Sequence, residues 1–404
     1  NKKARLLAEC KTLRAFFYMR LNELFGTNGM GIPIYTEPVS PNECNKSQSS
    51  ETDVWKQVIQ DLSDAIDSSS LPDNDINGEG RVSKGTAYAL RGRAYLMTKD
   101  YAKASADFAK VAECGYGLYP DYKAMFKPVN DRNKEMIFYV QNIDDPSGYG
   151  SRIQKYCAPW NAGSQDSRGC WTDIQVSPFV VDLYEVKVDN NTVKPFNWNE
   201  AIPGWNEVPL NDRQVYFIRD KKMNGSDIHS TITNVVNTQL NKVSATYRSL
   251  YLPEGNEARI NAVYQNRDPR LNLSIIVPYC TFVGVNSNST AAGEYVSRWP
   301  VNGKYYFDQA GSESSLIPGM KTSLVANGQN YFYYMFRKFI GEGLEYKLRQ
   351  DNPVDEPIIR YADVLLMWAE ALIELNDLSG AKDKVRQVRD RVNMPTMDSY
   401  FANQ

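Results

Sequence analysis

The sequence has few residues suited to metal binding or acid–base chemistry. It holds one histidine, His229, among 404 residues. A zinc site of the histidine type draws on several such ligands, and a Ser-His-Asp triad needs a histidine beside its nucleophile. We therefore expect no metal, no cofactor and no histidine-based catalysis.

Cysteine is also scarce, and its spacing is uninformative. The six cysteines include no C-x-x-C pair, so neither a zinc ribbon nor a thioredoxin-like motif is indicated. Cys157 and Cys170 are close enough in sequence to close a loop through a disulfide. The alternative, which the sequence favours, is that they are thiols.

The chain lacks an excess of positive charge and a long apolar run. Its 46 basic and 48 acidic residues give a formal charge of -2, and without a basic patch we expect no nucleic-acid partner. No apolar run approaches the roughly 20 residues of a membrane-spanning helix. No signal peptide is visible, but both ends lie in or just after helical patterns, so we expect a chain trimmed at both ends.

The strongest pattern that is present lies at residues 356–391. Apolar residues recur there at spacings of three and four, which predicts one apolar helical face from Ile358 to Leu375. Asn376-Asp377 ends this helix, and a second amphipathic run follows. The segment is predicted to be a helical hairpin that must pack on another part of the chain.

The same hairpin occurs earlier, at residues 83–113. Around the turn residues Asp100 and Asp377, equivalent positions hold Ala94 and Ala371, Ala104 and Ala381, Phe108 and Val385, and Val111 and Val388, offset by 277 residues. This internal repeat is typical of tetratricopeptide-like units, which bury their faces only by stacking. Two units so far apart stack only if the chain leaves the helical scaffold and returns.

Other elements are predicted from local signals. Apolar periodicity indicates a helix over 3–25, and Ser50 and Ser83 are expected to cap the helices that follow them. Residues 135–141 are predicted to be a short strand, as are 271–279 and 304–307. Short amphipathic pieces occur at 176–186 and 257–264.

The middle of the chain differs in composition. Long helical periodicity is absent from residues 146–344, while Asn, Gly, Ser, Pro and aromatic residues increase. The sequence thus predicts a mainly α fold: a tetratricopeptide-like helical-repeat scaffold formed by 1–145 and 345–404, with a long, irregular, loop-rich ligand-binding subdomain at 146–344 that contains short strands and helices.

Six stretches resemble the SusD/RagB family of outer-membrane nutrient-binding lipoproteins. In family order, and across nearly the whole chain, they are 13–18 (LRAFFY) with 31–33 (GIP), 58–65 (VIQDLSDA), 80–87 (GRVSKGTA), 115–122 (GYGLYPDY), 267–271 (RDPRL) and 359–371 (IRYADVLLMWAEA). The lipid-bearing cysteine and the closing C-terminal segment of the family are not seen, and truncation would account for both.

The resemblance implies a non-catalytic, surface-exposed lipoprotein of the outer membrane. Such a protein binds an oligosaccharide or polysaccharide nutrient and delivers it to a SusC-like TonB-dependent transporter. Its only attachment to the membrane is an N-terminal lipid anchor, which this chain does not show.

The residues of the insertion suit a sugar ligand. Sugar rings present apolar C–H faces and hydroxyls, so a site needs aromatic platforms flanked by amides and charged groups. The candidate ligand-binding residues are Trp160, Trp171, Trp198, Trp205, Tyr149, Asn161, Asp166 and Arg168. The alternative is that these aromatics form the local core of a loop-rich subdomain.

Three other functions stay open at this point: a helical-repeat scaffold that binds only protein, a receptor for a non-glycan nutrient such as a peptide, and a glycosidase. A glycosidase needs two carboxylates at a fixed separation across the scissile bond. Neighbouring acidic residues such as Asp144 and Asp145 are more typical of turns, so hydrolysis is the least favoured.

Overall fold

The structure is a computed structural model. It describes residues 2–76, 78–145, 150–159, 162, 169–285, 292–300, 322–323, 334–349 and 351–395.

The elements in these ranges are mostly helices and short strands. The helices are α1 (Lys2–Phe25), α2 (Glu51–Asp67), α3 (Lys84–Met97), α4 (Tyr101–Glu113), α5 (Ile153–Cys157), α6 (Pro178–Asp182), α7 (Trp198–Ala201), α8 (Ser230–Leu240), α9 (Asn256–Ala262), α10 (Arg270–Ser274), α11 (Tyr361–Glu374) and α12 (Leu378–Asp390). The strands are β1 (Met136–Val140), β2 (Val186–Lys187), β3 (Val193–Lys194), β4 (Lys222–Met223), β5 (Ser226–Asp227), β6 (Ile275–Ile276), β7 (Thr281–Val285), β8 (Ala292–Val296), β9 (Thr322–Ser323), β10 (Met335–Phe336) and β11 (Glu356–Arg360).

The chain forms two compact units. The helical unit consists of Asn1–Asp121, Val129–Gln141 and Asp355–Arg391. The insertion unit consists of Tyr122–Pro128, Asn142–Val354 and Val392–Gln404.

The predicted internal repeat is confirmed in detail. Both hairpins, α3–α4 and α11–α12, join a helix of 14 residues to one of 13. In each turn a residue with a left-handed backbone, Lys99 or Asn376, has a φ of 62°. An aspartate then caps the second helix: Asp100 Oδ1 accepts from the Lys103 amide at 3.4 Å and Asp377 Oδ1 from the Gly380 amide at 2.9 Å.

The two hairpins share one core. Phe108 is fully buried, and Gly92 lets α3 approach it, since a Cβ at Gly92 would lie 2.6 Å from the Phe108 ring. Buried Val364 and Leu365 of the second hairpin belong to the same cluster. The stacking predicted for the two repeats, and with it the tetratricopeptide-like scaffold, is therefore confirmed.

Helix α1 buries its small residues. Ala8, Thr12 and Ala15, together with the larger Met19, are each at most 2% exposed on one face of the helix. The small side chains allow α1 to pack closely on α2. The larger apolar side chains lie elsewhere: Leu7, Phe17, Leu24 and Phe25 are each more than half exposed. The predicted helix over 3–25 is confirmed, as are the caps at Ser50 and Ser83.

The start predicted for the late hairpin was wrong. Residues 356–360 form strand β11 rather than the first turn of a helix, and α11 begins at Tyr361. Pro357 disfavours helix for the residue before it, and β-branched Ile358 and Ile359 favour a strand. The strand pairs antiparallel with β1, with Phe138 opposite Ile359 and Val140 opposite Glu356.

A buried glutamate lies beside this strand pair. Glu135 has no exposed surface and accepts hydrogen bonds from Arg360 Nη1 at 2.9 Å, Arg391 Nη1 at 2.6 Å and the Tyr119 amide at 2.7 Å. Arg360 is followed by two acidic residues on α11, Asp363 and Glu370. Its closer partner is Glu135, since Asp363 lies 3.9 Å from its guanidinium and Glu370 is exposed.

A second acidic feature of the helical unit is a carboxylate pair. The Asp355 amide donates to Asp131 Oδ2 at 3.2 Å, and the Asp355 side chain is 1% exposed. Burial, and then the nearby Asp355 charge, raise the pKa of Asp131 to about 7. In the folded protein Asp131 therefore takes up a proton at a pH where an unfolded chain has lost it.

The substitution Asp131→Asn should stabilise the protein at high pH. Because the pKa of Asp131 is raised in the folded protein, its stabilising contribution to the free energy of unfolding is fully present below about pH 4. That contribution is lost as the pH rises through about 7. We expect a gain of about 1–2 kcal/mol at pH 8, after allowing for solvent screening, and almost none at pH 4. Urea unfolding at pH 4 and pH 8 measures this gain in the free energy of unfolding. The control is Asp67→Asn, at an exposed aspartate, which should show no dependence on pH. An equal effect of Asp131→Asn at both pH values would contradict the prediction.

The insertion unit is built from short elements around its own core. Its main cluster includes Val181, Trp205, Ile232, Tyr264 and Leu271, all buried. The strand predicted over 271–279 was wrong: residues 270–274 are helical and the strand is only β6. Pro269 suits the start of a helix, and Asp268 Oδ1 accepts from the Arg270 amide at 2.9 Å. The strand predicted at 304–307 lies outside the described residues.

Helices that meet the length and apolarity of a membrane span are absent from the described ranges.

Candidate functional site

The candidate site is a cluster around Trp171 in the insertion unit. The segment after Gly169 runs beside α5, because the Trp171 amide donates to the Lys155 carbonyl at 2.7 Å and the Ile174 amide to the Tyr156 carbonyl at 3.0 Å. Thr172 is held with a φ of 55° by its hydroxyl, which donates to the Ala158 carbonyl at 3.0 Å. These bonds fix the half-buried indole of Trp171 against α5.

Aromatic and basic groups surround this indole. The Tyr156 ring lies edge-on to Trp171, with 5.4 Å between centroids and 76° between planes. The Lys155 ammonium stands over the Trp171 ring at 3.9 Å from its centroid. The Arg349 guanidinium carbon lies 5.5 Å from the same centroid. Trp171 is therefore flanked by two cations.

Arg349 also fixes the start of this segment. One of its terminal amino groups donates to the Gly169 carbonyl. The guanidinium is thereby held beside the indole, in an arrangement that suits charge-assisted recognition of a planar anion.

Trp198 and Trp205 lie in a different cluster. Their rings stack at 4.3 Å with 13° between planes, and Tyr216 stacks on Trp205 at 5.4 Å. Trp205 is 6% exposed and belongs to the main core of the insertion unit. The structure thus places Trp205 in this core and Trp198 against it.

Trp198 is held by a carboxylate. Its Nε1 donates to both oxygens of Asp182 at 3.1 Å. Burial raises the pKa of Asp182 above its ordinary value, while the hydrogen bond from Trp198 and the charge of Arg267 oppose that rise. Because Arg267 also lies over the Phe196 ring at 3.7 Å, this part of the aromatic cluster is enclosed by polar side chains that have partners within the protein.

Tyr149, Trp160, Asn161, Asp166 and Arg168 lie outside the described residues. Of the eight candidates the structure therefore places three, and it separates Trp171 from the Trp198–Trp205 pair. Sequence reasoning did not find Lys155 and Arg349: no local pattern marks them, and Arg349 approaches Trp171 only through the fold.

In the described part of the chain, no group of three or more His, Cys, Asp or Glu side chains has the arrangement of a metal site. Cys157 and Cys170 are both buried in one hydrophobic cluster. The Trp171 cluster offers a ligand an aromatic ring and two positive charges.

Fold and site together define a tetratricopeptide-like helical protein that carries a long insertion with a half-exposed aromatic and basic cluster. The chain belongs to the SusD family, whose model matches residues 134–404. Among curated protein sequences none matches this chain.

Solved structures similar to this fold include SusD-like proteins of Bacteroides. A SusD-like protein from Bacteroides fragilis has 22% identity and a TM-score of 0.65, and the match covers 98% of this chain and 62% of that one. A SusD-like carbohydrate binding protein from the same species has 22% identity and a TM-score of 0.63, with 98% and 61% covered. Surface glycan-binding protein A from Bacteroides thetaiotaomicron, in complex with laminarihexaose, has 15% identity and a TM-score of 0.51, with 97% and 62% covered.

This chain thus spans about three fifths of the length of those proteins. At such identities the similarity establishes the fold.

Proposed function

We propose that this protein binds an oligosaccharide or polysaccharide nutrient at the bacterial cell surface. It performs no bond chemistry and passes the ligand to a SusC-like TonB-dependent transporter of the outer membrane, to which a lipid anchor keeps it close. The observation that carries the proposal is membership of the SusD family over residues 134–404. The glycan-binding names of two similar solved structures support it.

The Trp171 cluster is the proposed contact surface in the described residues. Trp171 is half-buried on a segment fixed by hydrogen bonds, so its ring meets a ligand with little loss of conformational freedom. Trp205 lies in the main core of the insertion unit and Trp198 packs against that core, so the proposed contact surface does not include them. Tyr149, Trp160, Asn161, Asp166 and Arg168 remain predicted contacts of the same insertion.

Replacement of Trp171 tests the site. A panel of purified oligosaccharides and peptides first identifies the ligand class by isothermal titration calorimetry. We then expect Trp171→Ala to weaken oligosaccharide binding by roughly tenfold or more, since buried aromatic anchors dominate binding free energies.

Phe179→Ala is the matched control, because Phe179 is an aromatic residue of the insertion unit that is 70% exposed. It should leave the affinity unchanged. Binding of peptides alone would replace the glycan proposal with that of a peptide receptor. Release of shorter sugars from an oligosaccharide by the pure protein would overturn the non-catalytic assignment.

A further inference from the structure

The charges around Trp171 point to a narrower ligand class. The geometry points to an acidic oligosaccharide, one that carries carboxylate or sulfate groups, as the ligand of this cluster. The inference rests on the proposed function, and it names the substrate class of that same site.

The first step is that neither cation pairs with a carboxylate of the residues that the structure describes. Among the residues that the structure describes, no carboxylate lies within 4 Å of the Lys155 ammonium or the Arg349 guanidinium. Asp173, two residues after Trp171, is exposed and pairs with neither. The contacts of Lys155 are the rings of Trp171 at 3.9 Å and Tyr156 at 5.2 Å, which orient an ammonium without neutralising it.

The second step is a comparison with neighbouring cations. Lys347, two residues before Arg349, pairs with Asp144 at 3.2 Å. Lys127 of the same unit pairs with Glu345 at 2.5 Å. Lys347 and Lys127 are thus neutralised by carboxylates of the protein, whereas the two cations beside Trp171 pair with no described carboxylate.

The third step concerns how a neutral sugar would stack on the Trp171 ring. Lys155 stands over the Trp171 ring, so the ring face on that side is covered by an ammonium. A neutral sugar that stacks there has to displace the lysine from a favourable contact. An acidic sugar instead brings the group that pairs with the lysine, and the planar guanidinium of Arg349 suits a carboxylate or sulfate.

Ligand preference in the unaltered protein is the first measurement. Hexasaccharides of galacturonate and a sulfated hexasaccharide are compared with neutral laminarihexaose by calorimetry at 50 mM salt. We expect an acidic hexasaccharide to bind at least tenfold more tightly than the neutral one, with a preference that falls steeply at 500 mM salt because exposed charges are screened. The two acidic probes also distinguish carboxylate from sulfate recognition.

Variants then assign the preference to the cluster. Lys155→Gln and Arg349→Lys should each lower acidic binding at least fivefold, whereas Lys347→Gln, which removes a lysine already paired with Asp144, should not. Thermal melting shows whether each variant is folded. Arg349→Lys loses the hydrogen bond to the Gly169 carbonyl. If that variant does not fold, the ligand preference of the wild-type protein and the Lys155→Gln variant still test the inference.

Tight binding of the neutral hexasaccharide with no acidic preference would overturn this inference and leave the proposed function standing. An acidic preference that Lys155→Gln and Arg349→Lys do not change would overturn the assignment to this cluster. Binding of no glycan of either class would overturn both.

Discussion

Replacing Glu135 with glutamine is expected to lower the free energy of unfolding by about 3–5 kcal/mol, the usual cost of removing one partner from a buried ion pair. The glutamate is fully buried and accepts from two guanidiniums, of which Arg391 has a side chain only 4% exposed. Glutamine keeps the shape but carries no charge, so both arginines lose their buried counter-charge. The change acts on β1, β11 and the end of α12 together.

Chemical denaturation followed by circular dichroism measures this effect, because the affected elements belong to the helical unit. Glu370→Gln is the matched control: Glu370 is an exposed glutamate on α11, and its replacement should change stability by less than about 0.5 kcal/mol. A loss below about 1 kcal/mol for Glu135→Gln would mean that the two arginines find other partners.

The second large effect is expected for Trp205→Ala, which should destabilise the insertion unit by about 3–5 kcal/mol. Trp205 lies between the rings of Trp198 and Tyr216 at 4.3 and 5.4 Å, and alanine leaves a cavity that these neighbours fill only in part. Since the side chain is 6% exposed, the loss should appear as lower stability and not as weaker binding by the folded protein.

Tryptophan fluorescence during urea unfolding measures the stability, and calorimetry at a low temperature measures oligosaccharide affinity while the variant is folded. Trp171→Ala should give the opposite result, with a small change in stability and a large loss of affinity. If folded Trp205→Ala loses its ligand, Trp205 is a contact residue and the core assignment fails.

The hairpins could be predicted because their signals are local. Each hairpin shows its alanine spacing, its turn aspartate and its apolar stripe within about 30 residues of sequence. In the structure, both turns have a left-handed residue at the equivalent position and an aspartate cap after it. The errors arose where contacts with residues distant in sequence determine the backbone conformation. Ile358 and Ile359 continue a helical apolar pattern, yet their backbone groups pair with β1.

The candidate site was less accessible to sequence reasoning. Aromatic enrichment directed attention to Trp171, Trp198 and Trp205 together, but sequence carries no sign that one lies on a half-exposed segment while two stack in a core. Lys155 and Arg349 become neighbours of Trp171 through folding alone. Whether a described carboxylate pairs with them depends on the positions of carboxylates throughout the fold, and a composition with nearly equal numbers of acidic and basic residues does not reveal it.

The pairing of β1 with β11 has a consequence for chain entropy. The two strands lie next to the points where the chain leaves the helical unit after Gln141 and re-enters it at Asp355, so their pairing closes one very long loop. The entropic cost of closing a loop grows only with the logarithm of its length, about 0.6 kcal/mol for each doubling. We therefore expect the helical unit to accept insertions of very different lengths at little entropic cost.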